Sequence, residues 1–158
     1  DDMIRKVATP YCEVDGRHQF EVTLPKEPSR LCADQSRLEQ VVDHLISNAV
    51  KYSPEGGCIK VSLVLRDDTY EVAIEDEGLG MNEEQLAHIF DRFYRGDSSD
   101  TAVQGVGLGM SIVRNIVQAH RGDIQVNSQP GNGTRVCVTL PMIPPVEHAE
   151  GAQPSVAS

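Results

Sequence analysis

Four short segments carry the side chains that could do chemistry: Asn48-Ala49-Val50-Lys51-Tyr52, Asp76-Glu77-Gly78-Leu79-Gly80, Phe90-Asp91-Arg92-Phe93 and Gly105-Val106-Gly107-Leu108-Gly109. The first offers an amide oxygen, which suits a hard cation such as Mg²⁺, and an ammonium that can neutralise phosphate. The second sets a carboxylate on a glycine turn, where Gly78 and Gly80 let the backbone turn with positive φ and approach a flat ligand without a Cβ in the way. The fourth frees backbone N–H groups just ahead of a helix, a good place for phosphate. Each segment has an ordinary reading as well, whether a polar helix surface, a strand-to-helix turn or solvated arginines. Only the four in order describe a nucleotide site.

Apolar periodicity supplies the elements that must hold these groups. Gln19 to Leu24 alternates as a half-buried strand does. Asp34 caps a long helix whose Leu38, Val41, Val42, Leu45, Ile46, Ala49 and Val50 form one apolar face. Arg37, Gln40, His44, Asn48 and Lys51 make a separate polar stripe, distinct from solvent-side Glu39, Asp43 and Ser47. Ile59 to Leu65 and Tyr70 to Asp76 alternate again around Asp67-Asp68-Thr69, and Asp76 ends its strand on the side of Tyr70, Val72 and Ile74. Asn82 with Gln85 begins a second helix carrying Leu86, Ile89 and Phe90. Residues 95–104 read as a mobile loop, a third helix runs from about Gly109 to Ala119, and Asp123 to Asn127 and Thr134 to Leu140 pair around Pro130-Gly131-Asn132-Gly133. Helices segregated from antiparallel hairpins predict an α+β fold, a two-layer α/β sandwich.

At the N-terminus, Asp1 to Ala8 is expected to be a short helix stopped by Pro10, so residues 1–10 read as the end of a preceding helix or linker. Residues 11–142 form the main unit, and the Pro-, Ala- and Ser-rich residues 143–158 read as a flexible tail. The 158 residues are 39% hydrophobic, enough for one core, and carry a formal charge of −10 that argues against a nucleic-acid partner. Cys12, Cys32, Cys58 and Cys137 show neither metal-ligand spacing nor a disulfide framework, which fits a cytoplasmic setting. No apolar run approaches the ~20 residues of a membrane span, so no membrane contact is expected of this unit.

Over about residues 20–140, these segments resemble, in order and spacing, the ATP-binding domain of bacterial sensor histidine kinases. The resemblance implies three helices on one face of a mixed, mostly antiparallel sheet, the Bergerat-type fold shared with gyrase-type ATPases, with ATP and Mg²⁺ as cofactors. It assigns Asp76 to the exocyclic amine of adenine, with Tyr52 free to lie against the base and Thr134, after Gly133, to reach the same pocket. Asn48 holds the metal, joined in some members by a Gln at the place of Gln104, and Lys51 meets the phosphates. Ile89 to Arg95 supports a lid, with Arg92 and Arg95 as candidates to neutralise phosphate. Gly105, Val106, Gly107, Leu108 and Gly109 form the phosphate loop and the lid hinge. A dinucleotide fingerprint would follow a first strand, whereas these glycines open the third helix.

Sensor kinases usually carry Asn one turn before Asn48, where this chain has His44. His44 faces the same site, and a neutral imidazole is expected to act through a hydrogen bond to phosphate or to a metal-bound water. None of His18, His44, His88, His120 or His148 has the acidic residue and nearby Pro of a phosphoacceptor. The resemblance therefore implies half an enzyme, whose partners are a helical dimerisation and phosphoacceptor domain of the same parent and a downstream response regulator. Two other readings stay open: a nucleotide-regulated binding module of the anti-sigma serine kinase type, and a gyrase- or chaperone-type hydrolase, which would want Glu where His44 stands.

Overall fold

The computed structural model describes residues 1–14, 16–27, 31, 33–91 and 109–142. Its longest helix, α2 (Gln35–Lys51), starts where the Asp34 carboxylate accepts the Arg37 N–H at 3.2 Å. Leu38, Val41, Val42, Leu45, Ile46 and Ala49 are its buried residues, spaced to form a single stripe. That stripe packs into one core with Ile59, Val61, Leu63, Tyr70, Val72 and Ile74 of the sheet. Truncating fully buried Ile46 to Ala would cost about 2–5 kcal/mol.

Five strands form one sheet in the order β1 (His18–Thr23), β2 (Gly57–Arg66), β3 (Thr69–Asp76), β5 (Thr134–Pro141), β4 (Asp123–Ser128). β1 and β2 are parallel because α2 crosses between them, and the remaining pairs are antiparallel. One register row decides where the site lies: Phe20 pairs with Ile59, Ile59 with Asp76, Asp76 with Thr134, and Thr134 with Ser128. Asp76 thus continues the inward face of Tyr70, Val72 and Ile74 to the point where the sheet ends. The opposite face is polar, with Arg135 bridging Glu71 at 3.3 Å and Glu75 at 3.1 Å.

Pro10 does not stop the first helix, contrary to the sequence reading. α1 (Asp2–Val14) runs through it. A proline inside a helix costs about 3 kcal/mol locally. Here Ile4 and Ala8 are each 1% exposed in the core, Lys6 pairs with Glu39 at 3.0 Å, and the Tyr11 hydroxyl donates to Asp43 at 2.7 Å. Packing on α2 outweighs the local penalty. Burial, helped by the charge and hydrogen bond of Asp43, raises the Tyr11 phenol to about 12.

α3 (Glu83–His88) has the expected capping box, Asn82 accepting from Gln85 N at 2.8 Å while the Gln85 side chain accepts from Asn82 N at 2.9 Å. It ends before Ile89 and Phe90 and buries no residue. Among the described residues, the helices that contribute to this core are α1, α2 and α4 (Gly109–Ala119). Past its end, Phe90 lies under the Arg114 guanidinium of α4 at 5.3 Å from the ring centroid.

Candidate functional site

Asp76 is the one acid that the inward face of β3 carries to its end. Its Oδ1 accepts the Gly78 N–H at 2.9 Å and stands 3.5 Å from the Ser53 hydroxyl. Burial raises its pKa above the ordinary aspartate value, while the N–H groups of Gly78 and Thr134 and the Ser53 hydroxyl pull the other way. The outcome is a poorly solvated carboxylate, so a ligand that donates hydrogen bonds gains more there than at a surface acid.

The turn after Asp76 is held by its own chain on both sides. Leu79 N donates to the Tyr52 carbonyl at 3.0 Å, and the Leu79 carbonyl accepts Gly131 N at 2.8 Å. Gly80 has φ +68°, as expected, but a Cβ there would overlap the Gln129 carbonyl. At Gly78 φ is not positive, and a Cβ would run into the Tyr52 carbonyl and come within 2.6 Å of Ser53 Oγ. Within the chain itself, the neighbour that excludes a side chain is the end of α2 at Gly78 and the β4–β5 turn at Gly80. Gly133, with φ +75°, is pressed in the same way against the Asp76 carbonyl.

Thr134 stands opposite Asp76, with its hydroxyl 2.8 Å from that of Ser128, and the Ser128 hydroxyl donates to Gly133 O at 2.9 Å and accepts from Met81 N at 2.8 Å. Ser53 and Ser128 were missed by the sequence reading. The only signal was a Ser directly after Tyr52 and a Ser on the inward side of β4, in line with Ile124 and Val126.

Along α2, His44 and Asn48 are partly buried, Lys51 is exposed, and Tyr52 is 47% exposed at the helix end. Tyr52 N donates to the Asn48 carbonyl at 2.9 Å, closing the helix. His44 lies against the first residue of α4, where a Cβ on Gly109 would sit 3.4 Å from its Nδ1. The structure thus gathers Asp76, Gly78, Gly80 and Thr134 at the sheet end with the close of α2, and separately sets His44 beside Gly109. Arg92, Phe93, Arg95, Gln104, Gly105, Val106, Gly107 and Leu108, together with the expected loop and the tail 143–158, lie outside the described residues.

Among the described residues no three His, Cys, Asp or Glu side chains are grouped so as to hold a metal ion, and no helix is long and apolar enough to cross a membrane. An ion here would take most of its ligands from phosphate oxygens and water, which is how Mg²⁺ is usually held.

Comparison with known proteins decides between the readings. The family described as histidine kinase-, DNA gyrase B-, and HSP90-like ATPase matches residues 33–144. The chain belongs to that family. Among similar proteins, the sensor histidine kinase WalK of Bacillus subtilis is 40% identical over 126 residues, covering 78% of this chain and 21% of WalK. The sensor-like histidine kinase SenX3 of Mycobacterium tuberculosis is 37% identical over 139 residues, covering 87% of this chain and 33% of SenX3. Among solved structures, the mycobacterial sensor histidine kinase MprB superposes with a TM-score of 0.79 at 30% identity, covering 90% of this chain and 95% of that one. The catalytic domain of histidine kinase ThkA follows with a TM-score of 0.78 at 28% identity, over 90% and 92% of the two chains.

This is the catalytic ATP-binding domain of a sensor histidine kinase, with the open mixed sheet of that fold, and ATP is the nucleotide of the family. The chain spans about a fifth to a third of the length of these two curated relatives. That they are sensor kinases favours this reading over the anti-sigma-type module.

Proposed function

We propose that the chain binds Mg-ATP in the cytoplasm and delivers the γ-phosphoryl to a His on a helical dimerisation domain of the same parent protein, from which it passes to a response regulator. In the transfer an imidazole nitrogen forms the N–P bond, the bond from γ-phosphorus to the β,γ-bridging oxygen breaks, ADP leaves with that electron pair, and the imidazole proton is released. Such a transfer depends on positioning and charge neutralisation rather than on covalent chemistry by the protein. The observation that carries the reading is Asp76, an under-solvated carboxylate steadied by the Gly78 N–H at 2.9 Å, at the end of the inward sheet face.

In this reading Asp76 accepts the adenine amine, Tyr52 covers the base and Thr134 lines its pocket. Asn48 supplies an amide oxygen to Mg²⁺, with Gln104 as a second oxygen donor. Bound Mg²⁺ would neutralise phosphate charge. Lys51, Arg92, Arg95 and the backbone of Gly105 to Gly109 take the rest of that charge, and His44 hydrogen-bonds a phosphate or a metal-bound water. Residues 1–10, within α1, form the end of the helix that leads to the phosphoacceptor domain.

Incubation with labelled ATP tests the division of labour. The chain alone gains no acid-labile phosphate, and the separately supplied helical domain is labelled on His when the two are mixed. Efficient self-labelling of His18, His44, His88, His120 or His148 would overturn it.

A further inference from the structure

The start of β1 grips the turn that follows α2. Arg17 O accepts Gly57 N at 3.4 Å, and a Cβ on Gly56, φ +86°, would overlap that same carbonyl. The next residue, His18, is 7% exposed, with Nε2 2.8 Å from the Ser53 carbonyl. A carbonyl only accepts, so Nε2 carries the proton and donates. Ser53 O also accepts Gly56 N at 3.0 Å, which occupies both of its lone pairs.

Ser53, 2% exposed, has its hydroxyl 3.5 Å from Asp76 Oδ1 and hard against Gly78. A contact of that length is at the limit of a hydrogen bond, so a shift of a few tenths of an ångström in the Ser53 backbone makes or loses it. His18 Nε2, beside Gly56 N, is one of the two donors that fix the Ser53 carbonyl, and the only side chain of the two.

We propose that His18 is a positioning residue of the adenine site, acting through Ser53 on the orientation of Asp76 and hence on the preference for a base bearing an exocyclic amine. This rests on the ATP reading above. It assigns a nucleotide-binding consequence to a side chain that lies at the start of an edge strand.

Titration calorimetry with ATP and GTP tests it on His18→Leu, His18→Gln, Ser53→Ala and the double variant His18→Leu/Ser53→Ala. His18→Leu is expected to weaken ATP binding by about three- to tenfold, the worth of one neutral hydrogen bond, and to narrow the ATP-to-GTP ratio. His18→Gln, whose amide can donate to the same carbonyl, recovers most of the loss. The double variant is no weaker than the worse single one, because both act on one contact. Unchanged ATP affinity in His18→Leu, or losses that multiply in the double variant, overturns the proposal. If His18→Leu does not fold, His18→Asn takes its place, its amide being too short to reach, and affinity equal to that of His18→Gln overturns the proposal too. A parent chain that binds ATP and GTP alike, or is indifferent to Asp76→Asn, refutes the ATP reading instead. An ATP-selective parent with insensitive His18 variants refutes only the role of His18.

Discussion

Replacing Asp76 with Asn separates what the carboxylate does for the ligand from what it costs the fold. The Asn oxygen can keep the Gly78 N–H, which Asp76 Oδ1 accepts at 2.9 Å, so the turn persists. The second atom becomes an NH₂ donor facing the donor of the base. Losing a charge-assisted hydrogen bond is worth about 1.5–3 kcal/mol, hence about ten- to a hundredfold in ATP affinity.

Stability of the empty domain should move the other way. Burial raises the folded-state pKa of Asp76 above its unfolded value, so the folded state binds the proton more tightly and loses stability as pH climbs from the ordinary aspartate value, near ~3.9, through the raised one. Above the raised pKa the parent carries this whole penalty, which the neutral side chain of Asp76→Asn avoids. Urea denaturation of both proteins over a pH series, with calorimetry for ATP and GTP, reads both effects. The variant should be the more stable at pH 7, with an advantage that shrinks towards acid pH. Parent-like ATP affinity would sink the adenine contact, and a variant less stable than the parent at pH 7 would sink the burial argument.

The glycines make a graded test. Gly131 (φ +79°) faces open space, so Gly131→Ala should lose only the conformational term, about 1–2 kcal/mol, whereas Gly80→Ala and Gly133→Ala meet backbone carbonyls and should lose more than about 3 kcal/mol. Equal urea midpoints for the three would show that the close approaches are not real. Because α3 buries no residue, Asn82→Ala should act locally, speeding amide exchange across residues 83–88 about fivefold for about 1 kcal/mol of lost cap while leaving global stability nearly unchanged. Tyr11 should ionise near pH 12, later than free tyrosine, so the tyrosinate absorbance of the parent should contain a late transition that Tyr11→Phe abolishes. Persistence of that transition in the variant would move the assignment to another phenol.

What was legible in the sequence is what local chemistry determines. Asp34 and the Asn82 capping box announce helix starts because their partners are three residues away. Alternation placed Asp76 on the face of Tyr70, Val72 and Ile74 because a strand has period two. Pro10 misled because the local rule is correct and the compensation is not local: Ile4 and Ala8 meet a core built from the rest of the chain. Ser53, Ser128 and His18 escaped notice for the same reason. Ser53 meets Asp76 across 23 residues, Met81 meets Ser128 across 47 and His18 meets Ser53 across 35, and no periodicity encodes such pairs.

Register is the tightest constraint on this site. Since successive strand residues point to opposite faces, sliding β3 by one position against β2 and β5 would send Asp76 to the open face beside Arg135 and turn Glu75 or Glu77 inward. It would also carry Tyr70, Val72 and Ile74, all of them buried, out of the core. Burying three such side chains is worth about 1.5–3 kcal/mol each, well above the burial cost of a single carboxylate that still accepts hydrogen bonds. The apolar residues of β3 therefore enforce the register, and the register in turn forces Asp76 into its under-solvated place. The acid that would recognise the base is thus positioned by hydrophobic packing and only steadied by Gly78 and Ser53. Ser53→Ala should therefore alter affinity without relocating the site, whereas Val72→Thr or Ile74→Thr should lower ATP affinity only as far as they unfold the sheet.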